Sequence, residues 1–287
     1  MHASRRRPSI VNDQLPPAMS FHDRPVAKSA ANSVYSERTA APMLSVRALC
    51  KSFRRGAATS PHRTAALAGV SLDVRESECV GIVGPHGSGK TTLLQCAAGL
   101  LRPDSGEVYW YGERFAGGGV VPGLAFVPSA PLYYQCLTVA DVLEYRAARE
   151  RSLMVGHLEF RNVMSLLGLS AVLHQSVLAL SRPLVRRLAL AEAMIGGPDV
   201  VFLDTGGRAD DNEEDAPLTA ALRHIASSGV TLVMAARVIG TLAGAVTRLL
   251  TIQAGVVAES GDQPTLTAGL SERATTSHRR LVAERIH

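Results

Sequence analysis

The chain has 287 residues, enough for one large or two modest domains with a buried core. It is 46% hydrophobic and 19% charged, and this composition excludes an intrinsically disordered chain. The net charge of +5 arises from the ends of the chain, because residues 1–42 hold six Lys and Arg against three Asp and Glu, residues 272–287 hold four against two, and 20 of each remain between them. A nucleic-acid-binding domain usually has its basic excess on a folded face, so this charge distribution argues against that class of protein.

Both ends of the chain are expected to lie outside the folded domain. Residues 1–42 are rich in Ser, Ala, Pro and Arg and have no helical or strand periodicity. They are predicted to form a disordered basic tail; the alternative is that translation starts at Met43, directly before the first apolar run. Residues 266–287 are predicted to form a short basic tail.

The four cysteines indicate a reduced compartment. They are separated by 29, 17 and 40 positions, so the chain has no CxxC pair. Neither a zinc site nor a disulfide framework is therefore indicated, and a cytoplasmic location fits best.

Between the two tails, apolar strand-like runs alternate with segments of helical periodicity, which is typical of an α/β layer structure. Residues 229–250 are mostly apolar, but Arg237, Gly240 and Gly244 interrupt them, so they are predicted as a buried strand and a helix rather than a membrane span. The predicted strands are residues 44–49, 68–74, 79–83, 107–110, 124–127, 200–204 and 231–236, and the predicted helices are residues 90–100, 138–150, 157–167, 184–196, 215–227 and 238–246.

The strongest motif follows the third predicted strand. Residues 84–92 read Gly-Pro-His-Gly-Ser-Gly-Lys-Thr-Thr and match G-x-x-x-x-G-K-[ST], a loop that needs a strand before it and a helix after it. Its glycines let backbone N–H groups turn toward phosphate oxygens, and the following helix adds the positive end of its dipole. Lys90 is predicted to bridge the β- and γ-phosphates of a nucleotide, and the Thr91 hydroxyl is predicted to bind Mg²⁺.

Three further segments resemble a known family, the ATP-binding subunits of ABC (ATP-binding cassette) transporters. Residues 67–74 resemble its antiparallel lead-in, residues 98–108 the segment after its P-loop helix, and residues 252–257 its closing strand pair. The resemblance covers roughly residues 43–265. It implies an α/β P-loop NTPase fold, a RecA-like core with antiparallel lead-in strands, and an inserted helical subdomain at about residues 130–183.

The resemblance also implies ATP and Mg²⁺ as ligands. Phe53 stands where the family has an aromatic side chain that stacks on adenine, although an ordinary core phenylalanine at a strand end is the alternative. Asp204 ends the Walker B strand and would hold Mg²⁺ with Thr91, whereas Ser129 replaces the Q-loop glutamine and would reach the metal only through a water. The predicted nucleotide-binding residues are Phe53, Gly84, Pro85, His86, Gly87, Ser88, Gly89, Lys90, Thr91 and Thr92.

The residues that activate water in the family are replaced. Thr205 occupies the position of the catalytic glutamate and cannot act as a base near neutral pH, a loss that typically lowers the rate by ~10²–10⁴-fold. Arg237 replaces the switch histidine. In the signature motif, Ser181 remains and is predicted to be a helix N-cap, Arg182 replaces a glycine, and Pro183 has no N–H to donate.

The sequence therefore predicts an ATP-binding subunit of an ABC transporter with weak or absent hydrolysis. It would lie on the inner face of the cell membrane through a separate membrane-spanning permease, and it would pair as a homodimer or as a heterodimer with another ATP-binding subunit; no nucleic acid is expected. The alternative is a regulatory or scaffolding pseudo-ATPase that binds ATP without driving transport.

Overall fold

A computed structural model describes residues 42–54, 63–115, 121–149, 164–206, 215–237 and 244–262. The predicted tails lie outside these residues, except for Pro42. The strands are β1 (Leu44–Arg54), β2 (Arg63–Val74), β3 (Cys79–Val83), β4 (Ser105–Trp110), β5 (Glu113–Phe115), β6 (Leu124–Val127), β7 (Val200–Asp204), β8 (Thr231–Ala236), β9 (Arg248–Gln253) and β10 (Val256–Asp262), and the helices are α1 (Lys90–Ala97), α2 (Val139–Arg149), α3 (Arg182–Met194) and α4 (Ala216–Ser227).

The strands form two sheets. The six-stranded sheet has the order β10-β9-β3-β8-β7-β6, and the four-stranded sheet has the order β2-β1-β4-β5. In the larger sheet, β9, β3, β8, β7 and β6 pair in parallel and β10 pairs with β9 antiparallel. The smaller sheet is antiparallel throughout. Parallel strands that are covered on both faces explain why the sequence has continuous apolar runs there.

Alternate residues of the parallel strands pack into two separate cores. In β7, Val200 and Phe202 face the core that contains α1 and the antiparallel sheet, whereas Val201 and Leu203 face the core that contains α2, α3 and α4. This period of two follows from the pleat of a strand. The sheet is thereby fixed on both sides, which holds its carboxyl edge in place.

Trp110 joins the antiparallel sheet to the parallel one. Its indole Nε1 donates to the Ala97 carbonyl at 3.1 Å, and its ring centroid lies 5.9 Å from that of Phe202. A buried indole thus satisfies its only donor while it packs against α1 and β7.

Most predicted strands and helices are confirmed, but several of their ends are wrong. The helix predicted at residues 90–100 ends at Ala97, because Gly99 turns the chain with a φ of 75°. The helix predicted at residues 238–246 is wrong at its end, where Gly244 and Ala245 form a turn; residues 238–243 lie outside the described chain. Of the helix predicted at residues 157–167, only residues 164–166 are described as helical.

Within the described residues, no helix is both long and apolar enough to cross a membrane.

Candidate functional site

The carboxyl ends of four neighbouring parallel strands bring most of the predicted site residues to one edge of the sheet. The loop of residues 84–89 follows β3, Arg237 follows β8, Thr205 follows β7, and Ser129 comes two residues after β6. In an open α/β sheet, this edge is where ligands bind.

The loop that joins β3 to α1 is held by close backbone contacts. A Cβ atom at Gly89, whose φ is +108°, would lie 2.2 Å from the Ala66 carbonyl oxygen, and one at Gly84 would lie 2.1 Å from that of Ile252. The Ser88 carbonyl accepts from the Gly255 N–H at 3.0 Å. The two glycines therefore let the loop pass between β2 and the β9–β10 turn, where a larger residue would clash.

Lys90 lies inside this loop and is 6% exposed. Its Nζ donates to the carbonyl oxygens of Gly84 and Pro85, both at 2.8 Å, and to Ser88 Oγ at 3.2 Å. Burial lowers the pKa of Lys90, the charge of Asp204 opposes this, and the charge of Arg237 adds to it. The loop thus presents a cation at the N-terminus of α1, where the helix dipole also favours an anion.

Asp204 and Thr91 meet across the site. The Thr91 hydroxyl donates to Asp204 Oδ2 at 2.6 Å, while Asp204 Oδ1 accepts from the Gly206 N–H at 3.0 Å, and Asp204 is 2% exposed. A hydroxyl and a carboxylate are hard oxygen ligands, and Mg²⁺ in nucleotide sites is held by one or two such groups together with phosphate oxygens and waters. The two side chains therefore fit a Mg²⁺ ion beside the phosphate-binding loop.

A cleft of about 860 Å³ opens in front of these residues, within the size range of sites for small molecules and cofactors. Its described lining includes four cationic side chains, those of Arg54, Lys90, Arg182 and Arg186. A cleft with cations on several sides attracts a polyanion. Of the predicted nucleotide-binding residues, the lining contains Phe53, His86, Gly87, Ser88, Gly89, Lys90, Thr91 and Thr92.

Phe53 lies in the cleft wall and is 43% exposed. Such exposure excludes the alternative that it is an ordinary core phenylalanine. The ammonium group of Lys51 lies 5.8 Å from the centre of the Phe53 ring, a favourable arrangement for a cation over an aromatic face.

The three residues at replaced catalytic positions differ in their surroundings. Thr205 is 4% exposed, and its hydroxyl donates to the Ala235 carbonyl at 2.9 Å. The same carbonyl also accepts from the Thr205 N–H. Ser129 and Arg237 are exposed, and Ser129 lines the cleft. The Thr205 hydroxyl is therefore engaged by the neighbouring strand.

The start of α3 also faces the cleft. Ser181 is the N-cap of α3, as predicted, but its side chain makes no capping hydrogen bond. Arg182 and Arg186 line the cleft, and Arg186 Nη2 donates to the Thr205 carbonyl at 3.2 Å.

The acidic residues that follow β7 in the sequence lie outside the described residues, namely Asp210, Asp211, Glu213 and Glu214.

Several residues of the cleft were not predicted from the sequence, namely Arg54, Thr64, Ala65, Ala66 and Arg186. The first four come from the paired ends of β1 and β2, and no motif marks that pairing. The signal available was the position of Arg54 directly after Phe53.

Comparison with known proteins places the central part of the chain in a family. Residues 67–205 match the family model described as ABC transporter. This segment belongs to the ABC transporter family. Of the curated relatives, YxlF of Bacillus subtilis, an uncharacterized ABC transporter ATP-binding protein, is 33% identical over 164 residues, which is 56% of this chain and 52% of the relative.

Two other relatives are named as import proteins. The taurine import ATP-binding protein TauB of Pelagibacter ubique is 32% identical over 48% of this chain and 52% of the relative. The methionine import ATP-binding protein MetN of Mesorhizobium japonicum is 30% identical over 69% of this chain and 56% of the relative. The chain thus spans about half the length of the curated relatives that it matches.

Solved structures confirm the predicted fold class. The ATP-binding cassette MJ0796, in a dimeric post-hydrolysis state bound to ADP and Pi, aligns with a TM-score of 0.61 at 22% identity over 77% of this chain and 99% of that one. The ADP conformation of the cassette MJ1267 aligns with a TM-score of 0.62 at 19% identity over 82% of this chain and 97% of that one. The fold is that of an ABC ATP-binding cassette.

Proposed function

We propose that this chain is the ATP-binding subunit of an ABC transporter, that it binds MgATP in the cleft, and that it hydrolyses ATP slowly or not at all. The observation that best supports this proposal is the arrangement around Asp204. Its carboxylate contacts Thr91 beside the phosphate-binding loop, while the next residue, Thr205, turns its hydroxyl to Ala235.

The parts that would hold the nucleotide support binding. Lys90 and the N–H groups at the start of α1 would contact the phosphates, Phe53 would stack on the base, and Thr91 and Asp204 would hold Mg²⁺. The metal would neutralise phosphate charge when bound. These roles agree with the lining of the cleft, because Phe53 and the loop of residues 86–92 share it.

The residues at the positions where the family activates water support slow turnover, because they cannot act as bases. A general base must be within hydrogen-bond reach of the water that it deprotonates, and a threonine hydroxyl bonded to a backbone carbonyl is not such a group. Arg237 carries a guanidinium group, which donates hydrogen bonds and has no acceptor atom for the proton of an attacking water. The site would then use ATP binding, rather than its hydrolysis, to favour one conformation of the assembly.

A membrane-spanning partner would bind near residues 129–137. In this segment Leu132 is 95% exposed and Tyr134 is 80% exposed, and neighbouring exposed apolar side chains are a feature of protein interaction sites. Two relatives are named as import ATP-binding proteins, and a structural neighbour is described as part of an ABC transporter complex. These names favour a separate permease, which would hold this subunit at the inner face of the membrane.

A second cassette, from the same or another chain, would complete the assembly. The neighbour MJ0796 is described as a dimer. Arg182 of this chain would then face the nucleotide held by the second cassette. It would take the place of the signature glycines there, because Pro183 offers no N–H group to a phosphate.

The test measures bound nucleotide and released phosphate in the same sample of purified protein with labelled MgATP. We expect bound, mostly intact ATP and little or no phosphate release above that of Lys90→Ala, which removes the buried cation and is expected to lose binding. Arg75→Ala, which removes an exposed cation between β2 and β3, is the matched control and should bind as the wild type does.

Steady phosphate release over many turnovers, abolished by Lys90→Ala, would contradict the slow-hydrolysis part of the proposal, and absence of ATP binding would contradict the whole of it. Co-isolation with a membrane-spanning protein separates a transporter subunit from a regulatory pseudo-ATPase, which would bind ATP without such a partner.

A further inference from the structure

The Phe53 wall of the cleft is built from the paired ends of β1 and β2. Phe53 is in register with Thr64, and Ser52 with Ala65. This end of the sheet has little support from β4, because the last β1–β4 pair joins Cys50 to Ser105. Phe53 is exposed, so packing in a core does not fix its position.

The Asp104 carboxylate binds β1 where the pairing with β4 stops. Oδ2 accepts from the Ser52 N–H and from the Ser52 hydroxyl, both at 2.8 Å, and Oδ1 accepts from Lys51 Nζ at 3.0 Å. The Asp104 N–H donates to the Cys50 carbonyl at 2.9 Å. Asp104 therefore supplies hydrogen bonds to the β4 side of β1 for two residues beyond the last β1–β4 pair.

The same carboxylate reaches the second strand and the Phe53 ring indirectly. Arg63 of β2 lies 3.6 Å from Oδ2, and Lys51, which binds Oδ1, also donates to the Arg102 carbonyl at 2.7 Å and lies over the Phe53 ring. The β1–β2 register is irregular between Lys51 and Ser52. The carboxylate thus binds β1 at the point where the strand pairing departs from its regular pattern.

We propose that Asp104 is a positioning residue for Phe53, and that it thereby makes this site prefer a nucleotide over the bare triphosphate. The proposal rests on the proposed function, in which Phe53 stacks on the base. Asp104 is not in the described lining of the cleft, so its effect on a ligand is exerted through Ser52, Lys51 and Phe53.

The charge of Asp104 persists through the neutral pH range. The hydrogen bonds from Ser52 and Lys51 hold the pKa of its carboxyl well below the usual range. Ser52, Lys51 and Arg63 contact the carboxylate, and Lys51 and Arg63 are cationic. The buried Cys96 thiol also lies close enough for its charge to interact with that of Asp104. The contact is therefore expected to be constant between pH 6 and pH 8.

The experiment compares Asp104→Ala with Asp73→Ala, which removes a carboxylate that pairs with Arg47 on the same two strands. The ligands are MgATP and magnesium tripolyphosphate, an inorganic chain with the phosphates but without the base. We expect Asp104→Ala to weaken MgATP binding by about five- to tenfold, as for a partial loss of base–aromatic stacking, and to leave tripolyphosphate binding within about twofold. Asp73→Ala should change neither.

A double-mutant cycle with Phe53→Ala separates positioning from a merely structural role. If Asp104 acts through Phe53, then Asp104→Ala adds little to the loss of MgATP affinity that Phe53→Ala causes. Equal weakening of MgATP and tripolyphosphate binding, or fully additive losses, would overturn the proposal. Asp104→Asn, which keeps one acceptor oxygen, should restore part of the affinity.

Hydrogen–deuterium exchange of the same proteins without ligand gives a second readout. Amides of residues 50–54 and 63–66 should exchange faster in Asp104→Ala than in the wild type or in Asp73→Ala. Unchanged exchange would overturn the positioning role of Asp104, whether or not the wild type binds the ligands. Failure of the wild type to bind either ligand would refute the proposed function, and the exchange result would still test the positioning role.

Discussion

Thr91 and Thr205 are two threonines of the site whose hydroxyls have opposite surroundings. The Thr91 hydroxyl contacts the Asp204 carboxylate, whereas the Thr205 hydroxyl donates to the Ala235 carbonyl and is buried. Replacement of each by valine removes the hydroxyl and keeps the branched shape of the side chain. The pair of variants therefore separates the hydroxyl that is proposed to hold Mg²⁺ from one that bonds to the neighbouring strand.

We expect Thr91→Val to weaken MgATP binding by about tenfold or more, because a hydrogen-bonding partner of charged groups is lost. Thr205→Val should leave binding unchanged and lower the free energy of unfolding by about 1 kcal/mol, since Ala235 keeps the bond from the Thr205 N–H. Binding titrations and urea denaturation measure the two quantities. A large loss of binding in Thr205→Val at unchanged stability would instead place its hydroxyl in the nucleotide site.

An ion pair joins α3 to the start of α4. Arg187 Nη2 lies 2.6 Å from Asp215 Oδ1, and the same oxygen accepts from the Leu218 N–H at 3.1 Å as the N-cap of α4. The side chains of Arg187 and Asp215 are 16% and 8% exposed. Asp215 thus neutralises a largely buried cation and begins a helix with one carboxylate.

Loss of this carboxylate should be costly. We expect Asp215→Ala to lower the free energy of unfolding by about 3–5 kcal/mol, because it leaves a buried charge without its partner. Asp73→Ala removes a carboxylate from an exposed pair, with side chains 46% and 45% exposed, and should cost about 0–1 kcal/mol. Equal losses in the two variants, measured by urea denaturation, would contradict this assignment.

The sequence predicts the elements that have their own apolar pattern and misses those defined by their neighbours. The strands β3, β7 and β8 are continuous apolar runs and were predicted with their observed ends. By contrast, β5 has three residues, none of them buried, and it exists because it pairs with β4. The first half of β2 is mostly exposed or half-buried, and its first five residues were not predicted.

The site divides in the same way. The loop of residues 84–92 is local in sequence, and its position before α1 could be predicted because the motif needs a strand and a helix at fixed places. The contact between Asp104 and Ser52 joins residues 52 positions apart, so it depends on how β4 meets β1 and could not be read from spacing. The bonding of Thr205 to Ala235 similarly requires the order of β7 and β8 in the sheet.

At the scale of the whole molecule, one short segment of chain connects the edge of the cleft to the exposed side chains of Leu132 and Tyr134. Ser129 lines the cleft, and Leu132 and Tyr134 are exposed. Tyr133 between them packs against the core, and its hydroxyl donates to Glu192 of α3 at 3.1 Å. A partner bound at Leu132 and Tyr134 would therefore contact a segment that joins the cleft to α3. This arrangement suits a subunit that transmits nucleotide binding to another protein.

The last prediction separates partner binding from nucleotide binding. The double variant Leu132→Asp, Tyr134→Ala should retain MgATP binding, because neither side chain lines the cleft in the described structure, and should lose co-isolation with the proposed membrane-spanning partner. Leu100→Asp is the matched control, since Leu100 is also exposed, at 62%, but follows α1. If Leu100→Asp loses the partner and the double variant keeps it, the partner binds at a different surface; if the double variant loses both properties, the segment of residues 129–134 belongs to the nucleotide site itself.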